Sequence, residues 1–144
     1  MQEEIGLYGA KTSIYGLDPD LAIAVDVTNA NDMVVGDEEV AREVGKGPTI
    51  TVKDSEMMSN KCINDELLRI AKKRKIPAQL DVSEFGTTDA LSISLERGGI
   101  PTTAVGVPVR NLHTPMGIAS YKDINHAVNL LVEFLKDPPK QCYR

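Results

Sequence analysis

Tryptophan is absent from this 144-residue chain, and two phenylalanines and four tyrosines are its only aromatic residues. So few rings leave no platform on which bases or sugars could stack, and the core has to be mostly aliphatic. No stretch approaches the ~20 apolar residues needed to span a bilayer. The N-terminus lacks the basic-then-apolar pattern of a secretory signal, so the chain reads as cytoplasmic with no membrane partner. The formal charge of −5 is modest and argues against nucleic acid. Cysteine is scarce too: Cys62 and Cys142 belong to no CxxC pair, and in a cytoplasmic chain they are expected to be free thiols. The basic cluster Lys72-Lys73-Arg74-Lys75 falls at the end of a helix pattern, where it complements the helix dipole.

What is present is an alternation of strand-like and helix-like segments in one domain's length of chain. Leu21 to Val27 is short, apolar and partly β-branched, and Thr49 to Lys53 follows the breaker Gly45-Lys46-Gly47-Pro48. Ile63, Leu67, Ile70 and Ala71 mark an amphipathic helix from about Asn60 to Lys75. Ala78 to Val82 and Thr102 to Val107 are further strands, with a short helix from about Thr88 to Arg97 between them. In the last helix, Lys122 to Leu135, the residues Ile124, Val128, Leu131 and Leu135 form the apolar stripe. Ser120 and Asp123 suggest a capping arrangement at its start. The pattern implies an α/β fold, a mostly parallel sheet with helices on both faces. Residues 1–136 make up the domain and 137–144 a fraying tail. A buried strand beginning at residue 1 would have neighbours upstream.

Few residues here could carry chemistry. Asp26 interrupts an apolar strand, where a carboxylate costs several kcal/mol unless an ion pair, backbone donors or a metal compensates it. It stands at the carboxyl end of its strand, where ligands gather in α/β sheets. Glu3 and Glu4 are adjacent, so on a strand they would point to opposite faces and could not share a small substrate. If the chain turns there, one could hold a metal and the other stand beside the water; otherwise they form a solvated acidic end. His113 lies in the loop-like Asn111-Leu112-His113-Thr114-Pro115, a place for a zinc or cobalt ligand or for a surface residue. His126 falls in the last helix and reads as filling. Gly86-Thr87-Thr88-Asp89 opens a helix, where it either caps the helix or shapes a pocket.

Taken in order, Gln2-Glu3-Glu4-Ile5-Gly6 with Gly9-Ala10, Ala24-Val25-Asp26-Val27-Thr28, Gly45-Lys46-Gly47-Pro48, Gly86-Thr87-Thr88-Asp89-Ala90 and Arg110-Asn111-Leu112-His113-Thr114-Pro115 resemble the C-terminal half of the tetrahedral aminopeptidases. These are cocatalytic metallo-aminopeptidases that include glutamyl and deblocking enzymes, and some members are labelled cellulase M. The resemblance implies a partial zinc-aminopeptidase-like catalytic domain, without its N-terminal half and inserted β-barrel. It implies Glu3 as general base, Glu4 and His113 as ligands of one metal, Asp26 as a ligand of the other, and Gly86, Thr87, Thr88 and Asp89 as substrate-binding residues. By the same resemblance, the complete site would hold two divalent ions, zinc or cobalt, and act on the N-terminal residues of peptides.

A His-x-Asp histidine and a bridging aspartate of that family are not among these 144 residues. The chain alone is therefore expected to bind one ion weakly or none and to show little peptidase activity, with an upstream-half polypeptide or a homo-oligomer as partner. The alternative is a non-catalytic relic or assembly module that keeps the fold. Polysaccharide hydrolysis ranks last, because a facing carboxylate pair and aromatic platforms are both wanting.

Overall fold

The structure, a computed structural model, describes residues 1–33 and 42–143. Strand β1 (Ala22–Asn29) lies beside β4 (Thr102–Arg110), then come β2 (Thr49–Lys53) and β3 (Gln79–Val82), while the short β5 (Ile118–Ala119) pairs with the far end of β4. β1 and β4 run parallel from Ala22 opposite Thr102 to Asn29 opposite Val109. β2 and β3 are also parallel, and the two parallel pairs meet antiparallel at Ile50 and Val105. Helices α2 (Lys61–Arg74) and α4 (Tyr121–Lys136) pack on one face, α1 (Tyr8–Leu17) and α3 (Asp89–Ser94) on the other. This is the mostly parallel, two-sided α/β arrangement that the sequence implies.

Alternation along the strands sorts the core into layers. Val105 and Val107 of β4 join Ile50, Ile63, Leu67, Leu130 and Phe134 beneath α2 and α4. Ala104 turns the other way, toward Ala24, Met57 and Ala90, and Ile14, Ile93 and Ile100 close the layer under α1. Each fully buried large aliphatic or aromatic side chain contributes roughly 1.5–3 kcal/mol. The α2 face falls as its periodicity predicts, with Ile63, Leu67, Ile70 and Ala71 buried and Asn60 accepting the Ile63 N–H. Asn64 is buried among them. Its amide donates to the Thr51 carbonyl at 2.8 Å, and the Thr103 hydroxyl donates to its side-chain oxygen at 2.5 Å.

Five expectations are corrected. The N-terminus is no strand: Glu3–Ile5 form a 3-10 turn and α1 follows at once. Gly9 makes this seating possible. Its N–H donates to the Met1 carbonyl at 3.0 Å, and a Cβ there would meet that oxygen at 2.1 Å.

The α4 stripe is the second. Ala127, Leu130 and Phe134 are buried, while Ile124, Val128 and Leu135 are exposed. The helix carries an apolar arc wider than the sheet covers, and packing selects the flank bearing the fully buried Phe134. Third, Ser120 makes no side-chain cap. Asp123 is fully buried and instead accepts the amides of Gly45 and Gly47 at 2.6 and 2.9 Å, tying the entry of β2 to α4.

Fourth, Cys62 and Cys142 form a disulfide with Cα atoms 5.6 Å apart, so neither is a free thiol. Last, the C-terminal segment does not fray over its described part. Lys140–Cys142 form a 3-10 turn, Cys142 is buried with the α2–α4 core, and Arg144 lies outside the described residues. The cause is tertiary: α2 presents Cys62 where the returning chain docks, 80 residues later.

Candidate active site

The turn at Glu3–Ile5 answers the difficulty of adjacent glutamates, because in a turn both side chains can face one space. Glu3, Glu4, Asp26, Gly86, Thr87, Thr88 and His113 all line one cleft of about 400 Å³ over the sheet face beside α3. That volume is within the range of small-ligand sites. Asp26 is the fifth residue of β1 rather than its last. It reaches the cleft because Ala24, Asp26 and Thr28 share a face. Asp26 has no ion pair among the described residues, and its Oδ1 accepts the N–H of Val27 at 2.7 Å.

His113 arrives from the loop between β4 and β5, held by the pairing of Arg110 with Ile118. Both Asn111 and His113 adopt left-handed backbone, φ 58° and 60°. The Thr114 hydroxyl donates to the Asn111 carbonyl at 2.7 Å and ties the loop. Non-glycine residues held in this region cost energy and gather where geometry serves a function. His113 Nδ1 lies 3.7 Å from Glu4 Oε1.

Glu3 sits among like charges. Partial burial raises its carboxyl above the ordinary value, the charges of Asp26, Glu4 and Asp89 add to the rise, and His113 opposes them. Asp89 does not line the cleft wall, yet it acts on Glu3 through this field. Its Oδ1 is buried with no hydrogen-bond partner among the described residues. The loop before it is firmly held. Asp54 accepts the amides of Glu56 and Met57 at 2.9 and 2.7 Å and the Thr87 hydroxyl at 2.9 Å, while Thr88 accepts the N–H of Ala90 at 3.2 Å. Capping and pocket shaping thus occur in the same four residues.

Sequence reasoning missed the floor of the cleft. Asp81 of β3 pairs with Arg42 at 3.1 Å and accepts the Thr28 hydroxyl at 3.3 Å. Burial raises its carboxyl against the lowering pull of Arg42 and Thr28. An acid inside the apolar run Ala78–Val82 was the available signal, of the same kind that marked Asp26.

The donors suit a divalent metal in kind but not in number. Glu4 and His113 lie side by side with both side chains exposed, and the charge of Asp26 acts on Glu3. Among the described residues, however, no three His, Cys, Asp or Glu side chains converge to hold an ion. Likewise, no helix among them is long and apolar enough to cross a membrane.

Comparison with known proteins identifies the family. The family model for M42 glutamyl aminopeptidase matches residues 1–130. An Acetivibrio thermocellus protein, named provisionally as an aminopeptidase, is 47% identical over 135 residues, 92% of this chain and 40% of that protein. The lysyl aminopeptidase of Pyrococcus furiosus is 33% identical over 141 residues, 95% of this chain and 39% of that protein.

Among solved structures, an aminopeptidase from the archaeon Desulfurococcus kamchatkensis matches with a TM-score of 0.92 at 35% identity, covering 99% of this chain and 41% of its own. The Pyrococcus horikoshii TET1 peptidase, which can assemble into a tetrahedron or a large octahedral shell, matches at 0.77 with 31% identity, over 91% of this chain and 37% of its own. The chain thus spans about 40% of the length of the relatives it matches and corresponds to the C-terminal part of their catalytic domain.

Proposed function

This chain belongs to the M42 glutamyl aminopeptidase family, and on that premise we propose that it supplies the general base and part of the metal-ligand set of an aminopeptidase site. Glu4 and His113 would hold one divalent ion and Asp26 a second, with the remaining donors from the N-terminal part of the catalytic domain. Bound there, zinc or cobalt would supply Lewis-acid polarisation of the scissile carbonyl.

Glu3 takes the proton of the attacking water and returns it to the departing amine. The observation that carries this reading is the meeting of Glu3, Glu4, Asp26 and His113 in one cleft, where partial burial and the charges of Asp26, Glu4 and Asp89 raise the proton affinity of Glu3. A base too acidic would hold no proton to return, and the field of these carboxylates works against that. The cleft wall of Gly86, Thr87 and Thr88 receives the N-terminal residue of a peptide. By likeness to the TET1 peptidase, the complete enzyme is a homo-oligomer, and its place is the cytoplasm.

A second reading, a fold-keeping module without catalysis, is favoured by the lack of a three-donor cluster among the described residues. One experiment separates the two. The purified chain is assayed on leucine and glutamate p-nitroanilides with zinc or cobalt, alone and after co-expression with the N-terminal part of the Acetivibrio thermocellus relative. Expected are negligible turnover alone and hydrolysis in combination, lost by roughly 10²–10⁴-fold in Glu3→Gln. Robust turnover by the chain alone overturns the shared-site reading. An inactive combination that is nonetheless folded and metal-loaded favours the module.

A further inference from the structure

We propose that the Cys62–Cys142 disulfide is a reversible latch: a dithiol reductant opens it and frees residues 137–143 from α2, and a disulfide oxidant closes it again. The latch is independent of the aminopeptidase reading.

Residues 137–143 leave the end of α4 and turn back along α2. Arg74, at the end of α2, pairs with Glu133 of α4, while Cys62 stands in the first turn of α2, at its other end. Cys62, Glu66 and Arg69 recur at i, i+4 and i+7 and so share one face of the helix. Glu66 and Arg69 line a groove of about 360 Å³ together with residues 137–141. The segment is a strap laid over that face and bonded to it at Cys62.

Little besides the disulfide holds the strap. Its two backbone hydrogen bonds are internal: the Cys142 N–H donates to the Pro139 carbonyl at 2.8 Å, and the Tyr143 N–H to the Lys140 carbonyl at 3.2 Å. Among the described residues, no hydrogen bond or ion pair joins the strap to α2 or to the sheet. Pro138 and Pro139 have no N–H to offer. Asp137 attracts Arg69, but that guanidinium is already paired with Glu66. Pro139 and Cys142 alone are buried. Ordering the strap costs more chain entropy than burying two small side chains returns, so the covalent bond is what keeps it down.

The body beneath is held differently. Ile63, Leu67, Leu130 and Phe134 are fully buried. The start of α2 is fastened to the sheet, where the Asn60 N–H donates to the Thr102 carbonyl at 2.8 Å and the Asn64 amide to the Thr51 carbonyl at 2.8 Å. A domain with such a core does not depend on a staple as small secreted scaffolds do. Opening the bond therefore releases the strap and leaves α2 in place.

The bond is within reach of exchange. Cys62 is half-buried, and the groove opens beside it, with Glu66 one turn from Cys62 and Gln141 next to Cys142. A thiolate of the reductant attacks one sulfur, forms a mixed disulfide and expels the other cysteine, which takes up a proton. The second thiol of the reductant then displaces the first cysteine. Two electrons and two protons pass to the protein, and the reductant leaves as a cyclic disulfide.

The test compares the full chain oxidised with glutathione disulfide and reduced with dithiothreitol, at room temperature. Mass spectrometry should find Cys62 joined to Cys142 in the first sample and two thiols in the second. On reduction, amide exchange at Cys142 and Tyr143 should speed up by about tenfold or more, while α2 and β4 stay protected. Trypsin should cut after Lys140 in the reduced chain only, and oxidation should restore both kinds of protection. Cys62→Ser with Cys142→Ser should show the released strap without reductant and no response to dithiothreitol. The latch is overturned if reduction leaves the strap protected, or if the double variant keeps it protected. Loss of protection in α2 and β4 together with the strap also overturns it, because the bond is then a staple. So does failure of glutathione disulfide to join the two cysteines within one chain.

Discussion

Under α2 and α4, Thr103, Asn64 and Thr51 close a hydrogen-bond chain inside an aliphatic core, with every named group satisfied. Across the sheet, Glu3, Asp26 and Asp89 gather with like charge, and one Asp89 oxygen has no partner among the described residues. Both faces hold polar groups. One spends them on holding helix to strand, and the other leaves them facing a cleft. The difference teaches which polar residues serve stability and which are kept at its expense.

The comparison can be broken from the stable side first. Phe134→Ala empties a fully buried site beneath α4 and should cost about 3–5 kcal/mol. Urea titration followed by circular dichroism measures it, and a loss below about 1 kcal/mol would mean that this face is not the core. Asn64→Ala removes two buried hydrogen bonds and leaves the Thr103 hydroxyl only its 3.4 Å contact with the Thr51 carbonyl, for an expected loss of about 1–3 kcal/mol. Recovery in Thr103→Val/Asn64→Leu would confirm that unsatisfied groups cause it.

Asp26→Asn on the cleft face should do the opposite. Stability at pH 7 should hold or rise by up to about 1 kcal/mol, because a like charge beside Glu3 is removed. The sign follows from linkage. Glu3 has a raised folded value, so its contribution to stability declines as pH climbs through that value, and Asp26→Asn should flatten the decline. Asp32, whose carboxyl the Arg110 hydrogen bonds hold below the ordinary range, behaves inversely. Its contribution is present above about pH 4 and fades as pH falls toward the folded value. Melting curves from pH 3 to 8 should show the Asp32→Asn loss shrinking toward acid, and a loss that grows toward acid would refute the assignment.

Much of the site was legible because its chemistry restricts residue types. A carboxylate in an apolar strand, a histidine between turn-formers and a Gly-Thr-Thr-Asp helix start are each unusual in their surroundings, and they stand in an order that resembles one family. Asp81 was passed over although it sends the same signal, because its strand is short and half exposed. Helix α1 escaped notice since Tyr8–Leu17 buries only Ile14, too little periodicity to read. β5 exists only through its pairing with β4.

The sequence by itself determined the order of the strands and helices between Leu21 and Leu135, β5 excepted, the buried face of α2 and the identity of the reactive side chains, because periodicity and chemical type are local properties. Only the tertiary structure decided that Glu3 and Glu4 share a cleft, which flank of α4 is buried, and that Cys62 meets Cys142. Each of those depends on which distant segment arrives alongside, and a linear pattern does not contain that distance. The open edge of β1 belongs with them: Val25 and Val27 look like core in the sequence, and they are exposed on a strand whose other edge has no strand partner among the described residues.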